Sequence, residues 1–369
     1  MTTERYQRHS LIDWFSQEKI QQSKFAVIGC GAVGNEVAKN LALLGVGNID
    51  LFDFDSIEAH NLTKSVLFRE SDIGHGKAEV AEKRVKELDP NINVRSFFGD
   101  FWDSLSIMDA RSYDCIFCCV DNFEARIKLN QLCLIAQVNL INTGIDSKYG
   151  QVEIFPYASN DSIACYECNL PNSAYERIQQ RYSCGWLKKI SYIEKKIPTT
   201  IITSSLTGSL AVSNALKLIN GDPLKNSKRI LIDSFTGSST LSDLEPSDTC
   251  PACSSLAKNI SIIQANPVIG NELGLLLDAD DHFITSDPLL VSYKCIECDS
   301  NEELVFAKAS NHDSTITVCN KCGNNSVVVV IKDGFTFSEI TEKFMGRKFP
   351  CKFIRYDTNN LSTIIEMEH

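Results

Sequence analysis

No stretch of this sequence approaches the roughly 20 apolar residues needed to cross a bilayer. Its opening, MTTERYQRHSLIDWF, lacks the apolar core of a secretory signal. Neither an internal repeat nor a low-complexity tract interrupts it. Positive charge is in short supply: 36 Lys and Arg stand against 47 Asp and Glu, a net charge of −11. That balance argues against a non-specific nucleic-acid or anionic-membrane surface. The expectation is a cytoplasmic protein with no nucleic-acid or membrane partner. In a reducing compartment its 15 cysteines are thiols, metal ligands or catalysts rather than disulfides. What is present is an ordinary globular mixture, 43% apolar and 22% charged, and 369 residues leave room for one large or two moderate domains.

Along the chain, short apolar runs alternate with helical patterns. KFAVIG (24–29) leads through GCGAVG into a helical stretch from Asn35 to Leu44 that stops at Gly45. NIDLFDFD (48–55), KAEVAEKRVKEL (77–88), YDCIFCCVDN (113–122), EARIKLNQLCLIAQ (124–137) and VNLINTG then read strand, helix, strand, helix, strand. This alternation predicts an α/β fold, a doubly wound and mostly parallel sheet of Rossmann type. The pattern turns irregular from about 159 to 200. SSLTGSLAVSNALKLI (204–219) is then a long helix closed by Gly221 and Pro223. Beyond it the texture changes to short β-like runs, so we expect a larger α/β domain over 1–265 and a β-rich module over 266–369.

Gly29, Gly31 and Gly34 form G-x-G-x-x-G between a strand and a helix. Glycines there let backbone amides approach a phosphate, with the helix N-terminus adding positive potential. Asp53 ends the next strand, 24 residues after Gly29, where a carboxylate can accept both ribose hydroxyls. On this motif alone NAD and ATP stay open. The residues that follow narrow the choice: RYQRH (5–9), DFDSIEAHNLTKSVLF (53–68), GKAEV (76–80) and CVDNFEARIKLN (119–130) arrive in order.

That ordered series resembles the ThiF/MoeB and ubiquitin-activating-enzyme superfamily, over residues 5 to about 255. The superfamily adenylates the C-terminal carboxylate of a small protein or peptide. CVDNFEAR and PTT (198–200) look most like the ubiquitin-fold-modifier activating enzyme, and NLTKSVLF like the peptide-adenylating enzyme of microcin biosynthesis. The resemblance implies ATP and Mg²⁺ as cofactors and assigns roles. Asp53 holds the ribose; Asn61, Lys64 and Lys77 face the phosphates; Asp121 holds Mg²⁺; Asp55 and Asn122 flank the same site. Arg8 reaches across the interface of a homodimer. Lys64 stands where the family usually has arginine, which keeps the charge and loses the bidentate fork, with Arg69 or Arg126 as possible substitutes.

Four C-x-x-C knuckles can bind metal: Cys165/Cys168, Cys250/Cys253, Cys295/Cys298 and Cys319/Cys322. Two knuckles place four thiolates around one Zn²⁺. Pairing the first two resembles the structural zinc of the superfamily. The last two follow C-x₂-C-x₂₀-C-x₂-C, a zinc-ribbon spacing, with a cross-pairing of the middle knuckles as the alternative. Two closed, structural zinc sites are expected. Cys115 and Cys118 also read C-x-x-C, but on a strand residues three apart face opposite ways and cannot chelate one ion; with Cys119 they read as core thiols.

Cys184, in RYSCGWLK (181–188), is left over in the irregular crossover. Thioester-forming members of the superfamily carry a cysteine in this crossover, and Arg181, Lys188 and Lys189 would favour its thiolate. The other reading is an incidental thiol. The C-terminal stretch 334–368 reads strand, short helix, strand, strand, compatible with a small ubiquitin-like fold that recruits a conjugating enzyme, or with a dimerisation or docking appendage. The leading expectation is a ubiquitin-like-protein activating enzyme with three partners: its cargo, a ubiquitin-conjugating-type enzyme and a second copy. Adenylation without a thioester, as in sulfur-carrier activation or microcin-type peptide modification, and an inactive scaffold are the alternatives.

Overall fold

The computed structural model describes residues 4–158, 163–175, 198–221, 224–269, 280–309, 318–358 and 360–368. The chain divides into two compact units. One is built from residues up to Leu170 together with Lys196–Ser254; the other takes the segment starting at Pro171 and the chain from Ser255 onward.

In the first unit, α1 (Gln17–Gln22) precedes β1 (Lys24–Ile28), α2 (Ala32–Leu44), β2 (Asn48–Asp53), α3 (Lys77–Leu88) and β3 (Asn93–Phe98). Two single-turn helices follow, α4 (Phe101–Ser104) and α5 (Ile107–Ala110), then β4 (Cys115–Cys118), α6 (Phe123–Ala136), β5 (Asn139–Ile145) and β6 (Tyr149–Phe155). The long helix α7 (Ile201–Asn220) leads to β7 (Lys228–Asp233) and β8 (Ser239–Asp243). These strands form one eight-stranded sheet in the order β3-β2-β1-β4-β5-β6-β7-β8. The first five are parallel and the last three antiparallel.

Strand direction follows from the sequence. Phe25, Val27, Ile49, Leu51, Ile116 and Phe117 are buried, because helices cover a parallel sheet on both faces. Val33, Val37 and Leu41 of α2 join that core, as do Ala211, Val212 and Ala215 of α7. Helices α2 and α7 approach closely at Gly208, where a Cβ would lie 2.6 Å from that of Glu36. Chain order reverses at β1, whose neighbours are β2 on one side and β4 on the other. The crevice beyond the C-terminal ends of β1 and β4 is where such sheets bind ligands.

The second unit contains β9 (Asn259–Ala265), β10 (His282–Cys295), β11 (Asn301–Lys308), β12 (Val327–Thr336), α8 (Phe337–Phe344), β13 (Phe353–Asp357) and β14 (Leu361–Met367). Its six-stranded sheet runs β11-β10-β13-β14-β9, with β12 also on β10. A core of Phe283, Leu289, Phe335, Ile340, Phe349 and Ile365 fills it. Two expectations change here. The sheet of the module expected over 266–369 also takes in β9 from Asn259, which pairs in parallel with β14. The strand–helix–strand–strand order over 334–368 is present, yet it is not a separate ubiquitin-like fold: β13 pairs with β10 and β14 with β9, so its strands belong to a sheet drawn from the whole unit. No described helix is long and apolar enough to cross a membrane.

Candidate active site and metal centres

The glycine loop leaves β1 and enters α2 with each glycine doing a different job. Gly29 sits at φ +92°, and a Cβ there would lie 2.7 Å from the Cys119 carbonyl oxygen. Only glycine takes that backbone region cheaply. A Cβ on Gly34 would meet the Gly29 carbonyl oxygen at 1.9 Å, so this glycine lets α2 lie against the loop. Gly31 caps α2, and a Cβ there would meet nothing within 4 Å. Space opens at the N-terminus of a 13-residue helix, where backbone amides and the helix dipole favour an anion.

Asn35 joins the site without a sequence signal that singled it out. It is fully buried, and its Nδ2 donates to the carbonyls of Cys30 (2.6 Å) and Gly31 (3.0 Å). Its Oδ1 accepts from the Leu67 amide at 3.0 Å. It therefore ties the glycine loop to the segment carrying Asn61 and Lys64. An asparagine in the first turn of an otherwise apolar helix face was the available clue.

Asp53, at the end of β2, accepts from the Cys30 amide through Oδ2 (2.6 Å) and from the Asp55 amide through Oδ1 (2.8 Å). Burial pushes its carboxyl above the usual range, opposed by the Asp55 amide and by Lys77. Its carboxylate is thus anchored to the loop that a nucleotide would touch, as a ribose acceptor requires. Lys77, the first residue of α3, rests its Nζ on Asp55 Oδ2 at 2.6 Å. Asn61 is buried in a short turn, its Oδ1 accepting from the Glu58 amide at 2.9 Å. Lys64 donates to Thr199 Oγ1 at 3.2 Å, which brings it to the segment just ahead of α7.

Neither candidate substitute for the missing arginine is at hand. Arg69 donates to the carbonyls of Val66 and Phe68. Arg126 donates to the carbonyls of Val120 and Thr143 and to Asn142.

The apolar run 113–122 is a strand only over Cys115–Cys118, since β1 ends at Ile28 and offers no further ladder partner. Asp121 therefore stands exposed in the turn after β4, and Asn122 caps α6 by accepting from the Ala125 amide at 2.9 Å. Cys115 and Cys118 are buried with their thiols pushed up by desolvation, and burial takes Cys119 up to about 12. Cys115 and Cys118 are core groups, and Cys119 is half-buried beside them.

Arg8 is not gathered with the others. Tyr6 bonds Asp89 at the end of α3, and its ring packs where Gly45, closing α2, has no Cβ. His9 bonds Gln17 at 2.7 Å, and Gln17 bonds the Leu44 carbonyl at 3.0 Å. Arg8 lies between these anchors at the C-terminal end of α2, whose 13 residues put it about 20 Å from its own glycine loop. An arginine side chain does not bridge that gap. Cys184 lies outside the described residues.

The cysteine knuckles do come together. Cys165 Sγ is 3.5 Å from that of Cys250, and Cys168 Sγ is 3.8 Å from that of Cys165 and 3.4 Å from that of Cys253. In the second unit Cys295 is 3.7 Å from Cys322, and Cys298 is 3.6 Å from Cys319. Thiolates at about 2.3 Å from a tetrahedral Zn²⁺ are about 3.8 Å apart, so both tetrads fit that ion. They are the clusters of metal-ligating type among the described residues, and the cross-pairing does not occur. The first tetrad would clamp the segment after β6 to the segment after β8; the second would close the tips of β10 and β12.

Comparison with known proteins agrees with this geometry. The family model described as "ThiF family" matches residues 5–254. SUMO-activating enzyme subunit 2 of Dictyostelium discoideum is 35% identical over 152 residues, 41% of this chain and 22% of that protein. Ubiquitin-like modifier-activating enzyme 5 of Drosophila grimshawi is 29% identical over 245 residues, 63% of this chain and 57% of that one. Molybdopterin-synthase adenylyltransferase of Haemophilus influenzae is 31% identical over 159 residues, 42% and 65% of the two chains. The chain thus spans less than two thirds of each of these relatives. Among solved structures, E. coli MccB with ATP aligns at a TM-score of 0.55 and 26% identity, covering 68% of this chain and 75% of that one. The ordered motifs, the eight-stranded sheet and the family match agree: this chain belongs to the ThiF family.

Proposed function

We propose that this chain uses ATP to activate the C-terminal carboxylate of a ubiquitin-like protein. A carboxylate oxygen bonds to the α-phosphorus, the α–β phosphoanhydride bond breaks, and pyrophosphate leaves. The nucleophile is already ionised at neutral pH, so no general base is needed. Catalysis then consists of in-line positioning and charge neutralisation. The observation that carries this reading is the open cradle at Gly31 beside the loop-anchored carboxylate of Asp53. Gly31 and the α2 amides would face the phosphates, Asp53 the ribose, and Lys64 and Lys77 the phosphate oxygens, with Asn61, Asp55 and Asn122 shaping the surrounding turns. Lys77 would exchange Asp55 for a phosphate when nucleotide binds. Asp121 would hold Mg²⁺, which supplies charge neutralisation on the phosphates. Arg8 would act in the site of a second copy, because its anchors keep it from its own.

In the fuller form the acyl group moves to Cys184. The thiolate attacks the acyl carbonyl, the bond to the phosphate oxygen breaks, AMP leaves, and a ubiquitin-conjugating-type enzyme receives the thioester. The similarity to ubiquitin-like modifier-activating enzyme 5 over 63% of the chain supports this form. A second reading stops at the adenylate; the similarities to molybdopterin-synthase adenylyltransferase and to MccB support it.

ATP–pyrophosphate exchange with candidate ubiquitin-like proteins tests the shared step. Exchange should vanish in Asp121→Ala, and undiminished exchange there would refute the assignment. A non-reducing gel separates the two forms: a DTT-sensitive adduct lost in Cys184→Ala supports the thioester. Pyrophosphate release with no adduct in either protein ends the chemistry at the adenylate.

A further inference from the structure

Arg126 lies on the first turn of α6, directly behind the turn that carries Asp121. Its Nη2 donates to the Val120 carbonyl, and its Nη1 donates to the Thr143 carbonyl at 2.5 Å and to Asn142 Oδ1. One guanidinium thus joins the exit of β4 to the end of β5. The chain continues inward: Asn142 Nδ2 donates to Glu153 Oε2 at 2.7 Å. Glu153 Oε1 accepts from Arg229 through Nε (2.9 Å) and Nη2 (2.7 Å). Asn142 is 3% exposed and Glu153 1%, so the middle of the relay is shut away from water on β5 and β6, while its Arg229 end on β7 is half-buried. A buried carboxylate is tolerated only when its partners are held in place, and that requirement makes the relay rigid.

Other bonds hold the turn at its two ends. The Cys119 amide donates to the Ile28 carbonyl at 2.8 Å, the last ladder-like bond of β4. Three residues later Asn122 Oδ1 caps α6. Asp121 hangs between these points, and the Val120 carbonyl immediately before it is the atom Arg126 holds.

We propose that Arg126 is a positioning residue for Asp121. Anchored through Asn142 on Glu153, its planar fork fixes the Val120–Asn122 turn so that the Asp121 carboxylate is presented to the metal–nucleotide. Lysine keeps the charge, but a compact ammonium does not span acceptors on two strands. The proposal rests on the adenylation reading, through the role of Asp121.

The test uses the full chain and two readouts, neither of them turnover. Hydrogen exchange of the ligand-free protein should be faster at the Val120–Asn122 amides in Arg126→Lys, with β1 amides unchanged. Calorimetric titration with ATP, in Mg²⁺ and in EDTA, gives the gain in affinity that the metal brings. Removing a residue that orients a metal ligand typically costs about 10- to 100-fold in metal affinity. Arg126→Lys should therefore lose about tenfold or more of the Mg²⁺ gain while affinity in EDTA stays within about twofold, with Asp121→Asn as the reference for complete loss. A wild-type gain in Arg126→Lys, or an equal loss in both titrations, overturns the proposal. Should Arg126→Lys not fold, Glu153→Gln decides: it keeps the shape, weakens the anchor, and should lose part of the Mg²⁺ gain. An unchanged gain there overturns the proposal too. Wild-type protein with no Mg²⁺-dependent ATP binding would instead refute the adenylation reading itself.

Discussion

Gly31 and Gly34 are three residues apart in one motif, and the structure separates what they do. A methyl group at 34 collides with a carbonyl in the same loop, whereas at 31 it enters open space. Gly34→Ala should therefore destabilise the fold, by about 1–3 kcal/mol as overpacking usually does, visible as a lower melting temperature without any ligand. Gly31→Ala should leave the melting temperature within about a degree and weaken ATP binding about tenfold or more, because the methyl occupies the phosphate's approach. A Gly31→Ala protein that binds ATP normally would remove the cradle from the site. The motif was legible in the sequence because its spacing is a backbone requirement. Asn35 was not, since its role comes from a hydrogen bond to Leu67, a partner 32 residues away. The pairing of Lys77 with Asp55 was likewise invisible until the end of β2 and the start of α3 were brought side by side.

Helix and strand positions were read most reliably where local chemistry marks the ends. The helix over 77–88 begins after Gly76 and stops at Asp89, and α7 is closed by Gly221 at φ +92° as expected, though its Thr200 cap starts it at Ile201, ahead of the expected Ser204. The strand expected over 113–122 was too long because apolar composition continues past Cys118, while the ladder ends where its neighbour does. The cysteine knuckles were readable by spacing, and their partners followed once turns after β6 and β8 met. Each tetrad lies within one unit, so their losses should be separable. Purified protein should carry about two zinc ions per chain, closed sites of four thiolates each. Cys250→Ser should lower zinc by about one and destabilise the unit of the eight-stranded sheet, and Cys319→Ser should do the same to the other unit. Elemental analysis with differential scanning calorimetry checks both; full zinc content in either variant would refute that tetrad as a metal centre.

At the scale of the whole molecule, the consequential fact is the position of Arg8. Tyr6, Asp89, Gly45 and Gln17 seat the N-terminal segment against the ends of α2 and α3 that point away from the glycine loop. A site that uses Arg8 then needs two copies of the chain. Arg8→Ala and Asp121→Ala should each be inactive in ATP–pyrophosphate exchange, yet mixing them before assembly should restore about a quarter of wild-type activity. Half of the random dimers are mixed, and each has one intact site. A mixture as inactive as its components would show that Arg8 does not act in the site of a second copy.

The sequence by itself determined the α/β class, the glycine loop, the candidate carboxylates and lysines, and the knuckles. All of these depend on residue types at short, fixed separations. Tertiary structure decided the rest. Only long-range pairing shows that β9 belongs with β14, that the strands of 353–367 are shared rather than a ubiquitin-like fold, that Arg126 is spent on three carbonyl and amide oxygens, and that the anchors on either side of Arg8 lie at the end of α2 away from the glycine loop. Those outcomes depend on which distant segments hydrogen-bond and pack, and pairing between residues a hundred positions apart leaves no periodicity along the chain.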